Sequence, residues 1–108
     1  MRITIKMINQ KIVILNQITK SAEKPYSERD GKVVSHIGNY HSYSAYGAIG
    51  VHRMSSAGGT EEVIGLGTKR ETYYRLCSFI DGIYARRDAA TERWVRATKK
   101  SQLEQSNQ

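Results

Sequence analysis

A chain of 108 residues and 12.2 kDa, 39% hydrophobic and 25% charged, is sized for one domain and has too little apolar content for a second core. Its longest apolar run, Ile12 to Leu15, falls far short of the ~20 residues that cross a bilayer. The residues after Met1 lack the apolar block of a secretory signal, and the single Cys77 has no disulfide partner within the chain. A spanning helix and a disulfide scaffold are excluded, and the expected location is cytoplasmic.

Lys and Arg number 17 against 10 Asp and Glu, a net charge of +7 with a pI near 9.7. Such a balance favours an anionic partner, nucleic acid above all. The charge sits at the two ends of the chain: residues 1 to 24 carry +4, residues 25 to 68 carry −1, residues 69 to 100 carry +5, and Glu104 completes the total.

In chain order, Arg2, Thr4 and Lys6 alternate with Ile3, Ile5 and Met7, and Lys11 to Leu15 is apolar and β-branched. This predicts two strands in a hairpin closed around Asn9, with a helix from Lys11 to Lys20 as the competing reading. Residues 21 to 31, with Pro25, Ser27, Asp30 and Gly31, read as a loop. Lys32 to Ile37 reads as a short strand, Ser42 to Met54 as one longer strand weakened by Gly47 and Gly50, and Glu61 to Leu66 as the strand that returns after the flexible Gly58-Gly59 connection.

Thr68, Lys69, Arg70 and Glu71 have the form of a capping box, so a helix begins there. Tyr73, Leu76, Cys77, Ile80 and Tyr84 follow as a core-facing stripe. No proline or further glycine stops this helix after Gly82, so it is predicted to run toward residue 100 before a frayed polar tail at 101 to 108, with a break near Asp88 as the alternative. The expectation is one α+β domain over residues 1 to 100, an antiparallel sheet of about four or five strands packed against a long C-terminal α-helix.

At 100° per residue, Arg75, Arg86, Arg93, Arg96 and Lys100 fall on the side of that helix away from the apolar stripe. Such a row of cations suits phosphates along a nucleic-acid backbone. Trp94 and Val95, with Arg87 at the rim, lie beyond what a small sheet covers and suggest an interface, most simply a homodimer. A second cluster is rich in tyrosine: Tyr26, Tyr40, Tyr43 and Tyr46 fall within 21 residues, interleaved with His36 and His41. Tyr40, His41 and Tyr43 are the residues there that suit stacking on a base and hydrogen bonding to its edge.

The segment Gly65-Leu66-Gly67-Thr68-Lys69-Arg70-Glu71 resembles the glycine-rich strand end and basic helix start of the double-stranded RNA-binding domain. The resemblance extends over residues 25 to 85 at most and implies phosphate contacts for Lys69 and Arg70. Thr72 and Tyr73 depart from the small and basic residues that family has next, and an opening hairpin would depart from its opening helix.

Catalytic chemistry finds no support. His36 and His41 are five apart, no second Cys or helical His pair completes a zinc set, Glu61 and Glu62 alternate across a strand, and Gly65-x-Gly67 lacks the rest of a dinucleotide fingerprint. No cofactor or metal is expected. The reading is a non-enzymatic binding protein for nucleic acid or a nucleotide, with a protein-binding inhibitor or regulatory adaptor acting through Trp94 and the tyrosine-rich surface as the alternative.

Overall fold

Thr4 caps the first element by accepting the Met7 N–H on its Oγ1 at 3.3 Å, and a helix, α1 (Ile5–Ile18), follows. The hairpin expected around Asn9 is therefore not formed. Ile8, Ile12 and Leu15, at i, i+4 and i+7, are buried together, whereas Ile5, which the alternation placed inside, is exposed. Burial of that helical stripe outweighs the strand preference of the β-branched residues. The helix ends in a Schellman motif: Ser21 N–H donates to Asn16 C=O and Lys20 N–H to Gln17 C=O, with Lys20 itself left-handed at φ 55°.

The computed structural model describes the backbone of residues 2–106 and the side chains of residues 2–93. After α1 come β1 (Tyr26–Arg29), β2 (Lys32–Ser35), β3 (Tyr40–Ala45), β4 (Ala48–Ser56), β5 (Gly59–Gly67) and α2 (Lys69–Ser106). The five strands form two antiparallel sheets, a β1-β2 pair and a three-stranded sheet in the order β3-β4-β5. This is the mixed α+β fold expected, with its strands divided between two sheets.

Two departures from the sequence reading come from tight turns. Asp30 and Gly31 take φ values of 54° and 75°, a type I′ pair that folds the expected loop back on itself and makes β1. Tyr46 and Gly47 repeat the device at 54° and 76° and cut the stretch read as one strand into β3 and β4. At the other end of β4, Gly58 at φ 84° helps close the turn into β5. β5 carries an extra residue against β4 at two places, where Val51 pairs with Ile64 and His52 with Glu62.

The chain groups into two compact units, Met1–Ser78 and Phe79–Gln108. In the first, Ile3, Ile8, Ile12, Leu15, Ile49, Val51, Met54, Ile64 and Leu76 are buried. Thr72 joins them because its hydroxyl donates to the Ile49 carbonyl at 2.7 Å, tying the first turn of α2 to β4. Tyr73 and Cys77 are only half-buried, so the stripe read at this end of α2 is narrower than expected. The second unit is α-helical across Asp88, so the alternative of a break there is not realised; within it Ile80 is buried and Tyr84 is exposed.

α1 is fastened to the sheet by one buried amide. Asn16 Nδ2 donates to the Tyr40 carbonyl at 2.9 Å and Asn16 Oδ1 accepts the Tyr40 N–H at 2.8 Å, so the side chain pairs with the outer edge of β3 as a neighbouring strand would. Nearby, buried Asn39 donates to the Ala22 carbonyl at 2.6 Å and pins the connection that follows α1. Asn16→Ala removes both bonds to β3 and is expected to lower unfolding stability by about 2–3 kcal/mol. A urea titration reads this as a shift of midpoint with unchanged slope.

Candidate functional site

β3 and β4 pair in regular register, so directly opposed residues share a face. Ser42 lies opposite Val51, and its hydroxyl donates to Asn9 Oδ1 of α1 at 3.0 Å, which marks that face as the one α1 covers. His41 and Tyr43 therefore belong to the other face, opposite His52 and Gly50. Tyr40 does not join them. Alternation puts its side chain on the α1 face, so the structure brings together two of the three residues expected to form a stacking surface.

On the open face the Tyr43 and His52 rings are stacked, with centroids 3.5 Å apart and planes inclined by 20°. His41 meets His52 edge-on at 6.0 Å. The Tyr43 ring lies where a side chain at Gly50 would stand: a Cβ there would come within 2.6 Å of Tyr43 Cε1 and 2.5 Å of the Ile64 carbonyl oxygen. The glycine read as a weak point in a strand is thus the floor on which an aromatic ring rests. Glu62, opposite His52 on β5, accepts the Tyr43 hydroxyl at 3.0 Å.

These neighbours set the charge states. Burial, and then the adjacent His52, hold the His41 imidazole below its ordinary pKa of 6.5, while its Nδ1 lies 3.2 Å from Asn39 Oδ1. Partial desolvation and the bond to Glu62 push the Tyr43 hydroxyl up, keeping it protonated and a donor. At neutral pH the face offers aromatic surface, imidazole nitrogens and one carboxylate.

The basic residues are elsewhere. Lys69 and Arg70 are exposed at the start of α2, with the Arg70 guanidinium 5.8 Å from the Tyr74 ring centroid. The capping box forms as read: Glu71 N–H donates to Thr68 Oγ1 and Thr68 N–H to Glu71 Oε1, both at 3.1 Å. Those bonds, and then Arg75, hold the Glu71 carboxyl below its usual range. Arg75 in turn is tied to Glu71 at 3.4 Å, so this expected phosphate ligand is already engaged by a carboxylate. In the second unit Arg86 and Arg93 are exposed and seven residues apart, which puts them on one side of the helix, and Arg87 is exposed as well. The side chains of Trp94, Val95, Arg96 and Lys100 lie outside the described residues.

His52 and Glu62 were missed because a single strand over residues 42 to 54 leaves His41 and His52 far apart, whereas Gly50 was expected to mark a close approach to the backbone or a bend and does have the Tyr43 ring against it. The Tyr46-Gly47 turn brings the two histidines opposite each other, and a glycine second in a two-residue turn is the signal that would have found it. Among the described residues no group of three metal-ligating side chains comes together, and no helix is long and apolar enough to cross a membrane.

Searches against family models, curated proteins and solved structures find no match for this chain. The opening helix α1 removes one departure from the double-stranded RNA-binding pattern, and the β1-β2 hairpin introduces another.

Gly50→Ala is expected to displace the Tyr43 ring and to cost about 1–3 kcal/mol from overpacking. Ring-current shifts of the His52 protons would register the displacement. A second outcome concerns pH. Because the folded state disfavours protonated His41, the unfolded chain binds more protons between the lowered folded pKa and 6.5, so folding stability falls as pH drops through that window. Thermal unfolding from pH 8 to pH 5 should show a smaller decline for His41→Gln than for the parent protein.

Proposed function

We propose that this protein is a non-enzymatic binder of an anionic ligand, nucleic acid first among them, that reads bases on the open β3-β4 face and meets phosphates through exposed cations of α2. The observation that carries the proposal is the Tyr43–His52 stack over Gly50 with His41 beside it. A polar aromatic surface on a half-buried sheet face suits unstacked bases, whose π-faces and edges it can match. The chain-wide charge of +7 supports the same reading, as do the exposed positions of Lys69, Arg70, Arg86 and Arg93. The resemblance at residues 65–71 to the double-stranded RNA-binding domain, which no family model matches, implies phosphate contacts for Lys69 and Arg70.

The reading as an inhibitor or adaptor draws on a different feature. The β1-β2 hairpin and its exit expose Tyr26, Val33, Val34 and Ile37, while Glu28, Arg29, Asp30 and Lys32 sum to no net charge. A ribbon of no net charge that exposes apolar side chains suits a protein surface better than a phosphate backbone.

Fluorescence anisotropy with labelled single-stranded and duplex oligonucleotides tests the nucleic-acid reading. Affinity for the single strand is expected to fall with salt at a log–log slope of about −0.7 per phosphate engaged. Arg86→Gln with Arg93→Gln should flatten that slope, and Tyr43→Ala should weaken binding on the order of tenfold at every salt concentration. Binding that ignores salt, or is untouched by Tyr43→Ala, overturns it.

A further inference from the structure

β3 is an edge strand, and Asn16 occupies only one residue of its outer side. Tyr40 points its N–H and C=O outward to that amide, so in an antiparallel ladder Ser42 and Ser44 point theirs outward too. Beside this edge lies a cleft of ≈ 270 Å³ whose walls include Ile12 and Val13 of α1, Tyr40 and Ser42. A strand edge opening onto an apolar-walled cleft is the geometry of strand addition.

The same molecule carries an unsupported strand to fill it. In the hairpin, His36 N–H donates to the Pro25 carbonyl at 2.9 Å, and the pairs two and four residues further in, Ser27 with Val34 and Arg29 with Lys32, repeat that bonded pattern. Val33 and Ser35 therefore turn their main-chain groups outward along β2. Every residue of β1 is exposed, Val33 is 74% and Ile37 64% exposed, and a lone two-stranded ribbon is marginal in water. The hairpin's charged residues balance to zero, so the ribbon itself adds nothing to the repulsion between two basic copies.

We propose that β2 of one copy adds antiparallel to the β3 edge of a second copy, Val33 opposite Ser44 and Ser35 opposite Ser42, with the Val33 side chain on the face that α1 covers. Each copy presents one outward β2 edge and one outward β3 edge, so two copies can exchange ribbons and pair both of these. The pairing uses main-chain groups of β2 and β3 rather than the stacked Tyr43 and His52 rings, and it stands or falls independently of nucleic-acid binding.

Sedimentation equilibrium on the intact protein tests it. A two-copy mass is expected in the micromolar range, with Val33→Lys and Ser44→Pro each raising the dissociation constant on the order of tenfold or more. Ser44→Pro removes an outward N–H that β4 does not use, and circular dichroism should confirm that both variants keep the fold. As a positive readout, a Val33→Cys copy mixed with a Ser44→Cys copy should form a mixed disulfide under mild oxidation. A mass of one copy at the highest soluble concentration overturns the proposal. So does a dimer that survives both substitutions, or one that dissociates only on Trp94→Ala.

Discussion

The amide of Asn16 is the point on which the first unit turns. It presents a donor and an acceptor at the spacing of a peptide group, meets the matching pair on Tyr40, and joins the last turn of α1 to the edge of the sheet. A buried amide left without both partners would cost more than the bonds return, so the contact specifies one position for α1 along β3. Thr72 does the corresponding work for α2 by donating to Ile49. With one face of the sheet committed to these contacts and to Val51 and Ile64, the opposite face is left to aromatic and titratable side chains.

Much of the C-terminal half was legible because its signals are local. The Thr68–Glu71 box fixes where α2 begins, and Leu76 and Ile80 are buried as their spacing implies. The N-terminal half was obscured by two competing patterns. Residues 2 to 7 alternate as a strand does, yet Ile8, Ile12 and Leu15 repeat as a helix does, and tertiary burial decided for the helix. The turns at Asp30-Gly31 and Tyr46-Gly47 were missed for a related reason: each was read as a loop or as part of a strand, when positive φ at both positions makes it a hairpin.

The candidate site was half legible. His41 and Tyr43 were chosen for what their rings can do, and they do share a face; Tyr40 was chosen on the same ground and belongs to the other face. The partners that give the face its character, His52 and Gly50, come from a strand whose pairing depends on one turn. Glu62 depends in addition on the irregular β4-β5 register that brings it opposite His52. Composition can nominate a chemistry, but cross-strand pairing decides which residues practise it.

The β3-β4 face presents two imidazoles, a stacked phenol and the Glu62 side chain but no lysine or arginine, and the lowered pKa of His41 weakens its pull on a phosphate. On the proposed reading, a nucleic-acid strand lying across it would turn its sugar–phosphate chain outward and its bases down. Discrimination and grip would then be divided, the sheet sensing the base and the exposed arginines and lysines the backbone.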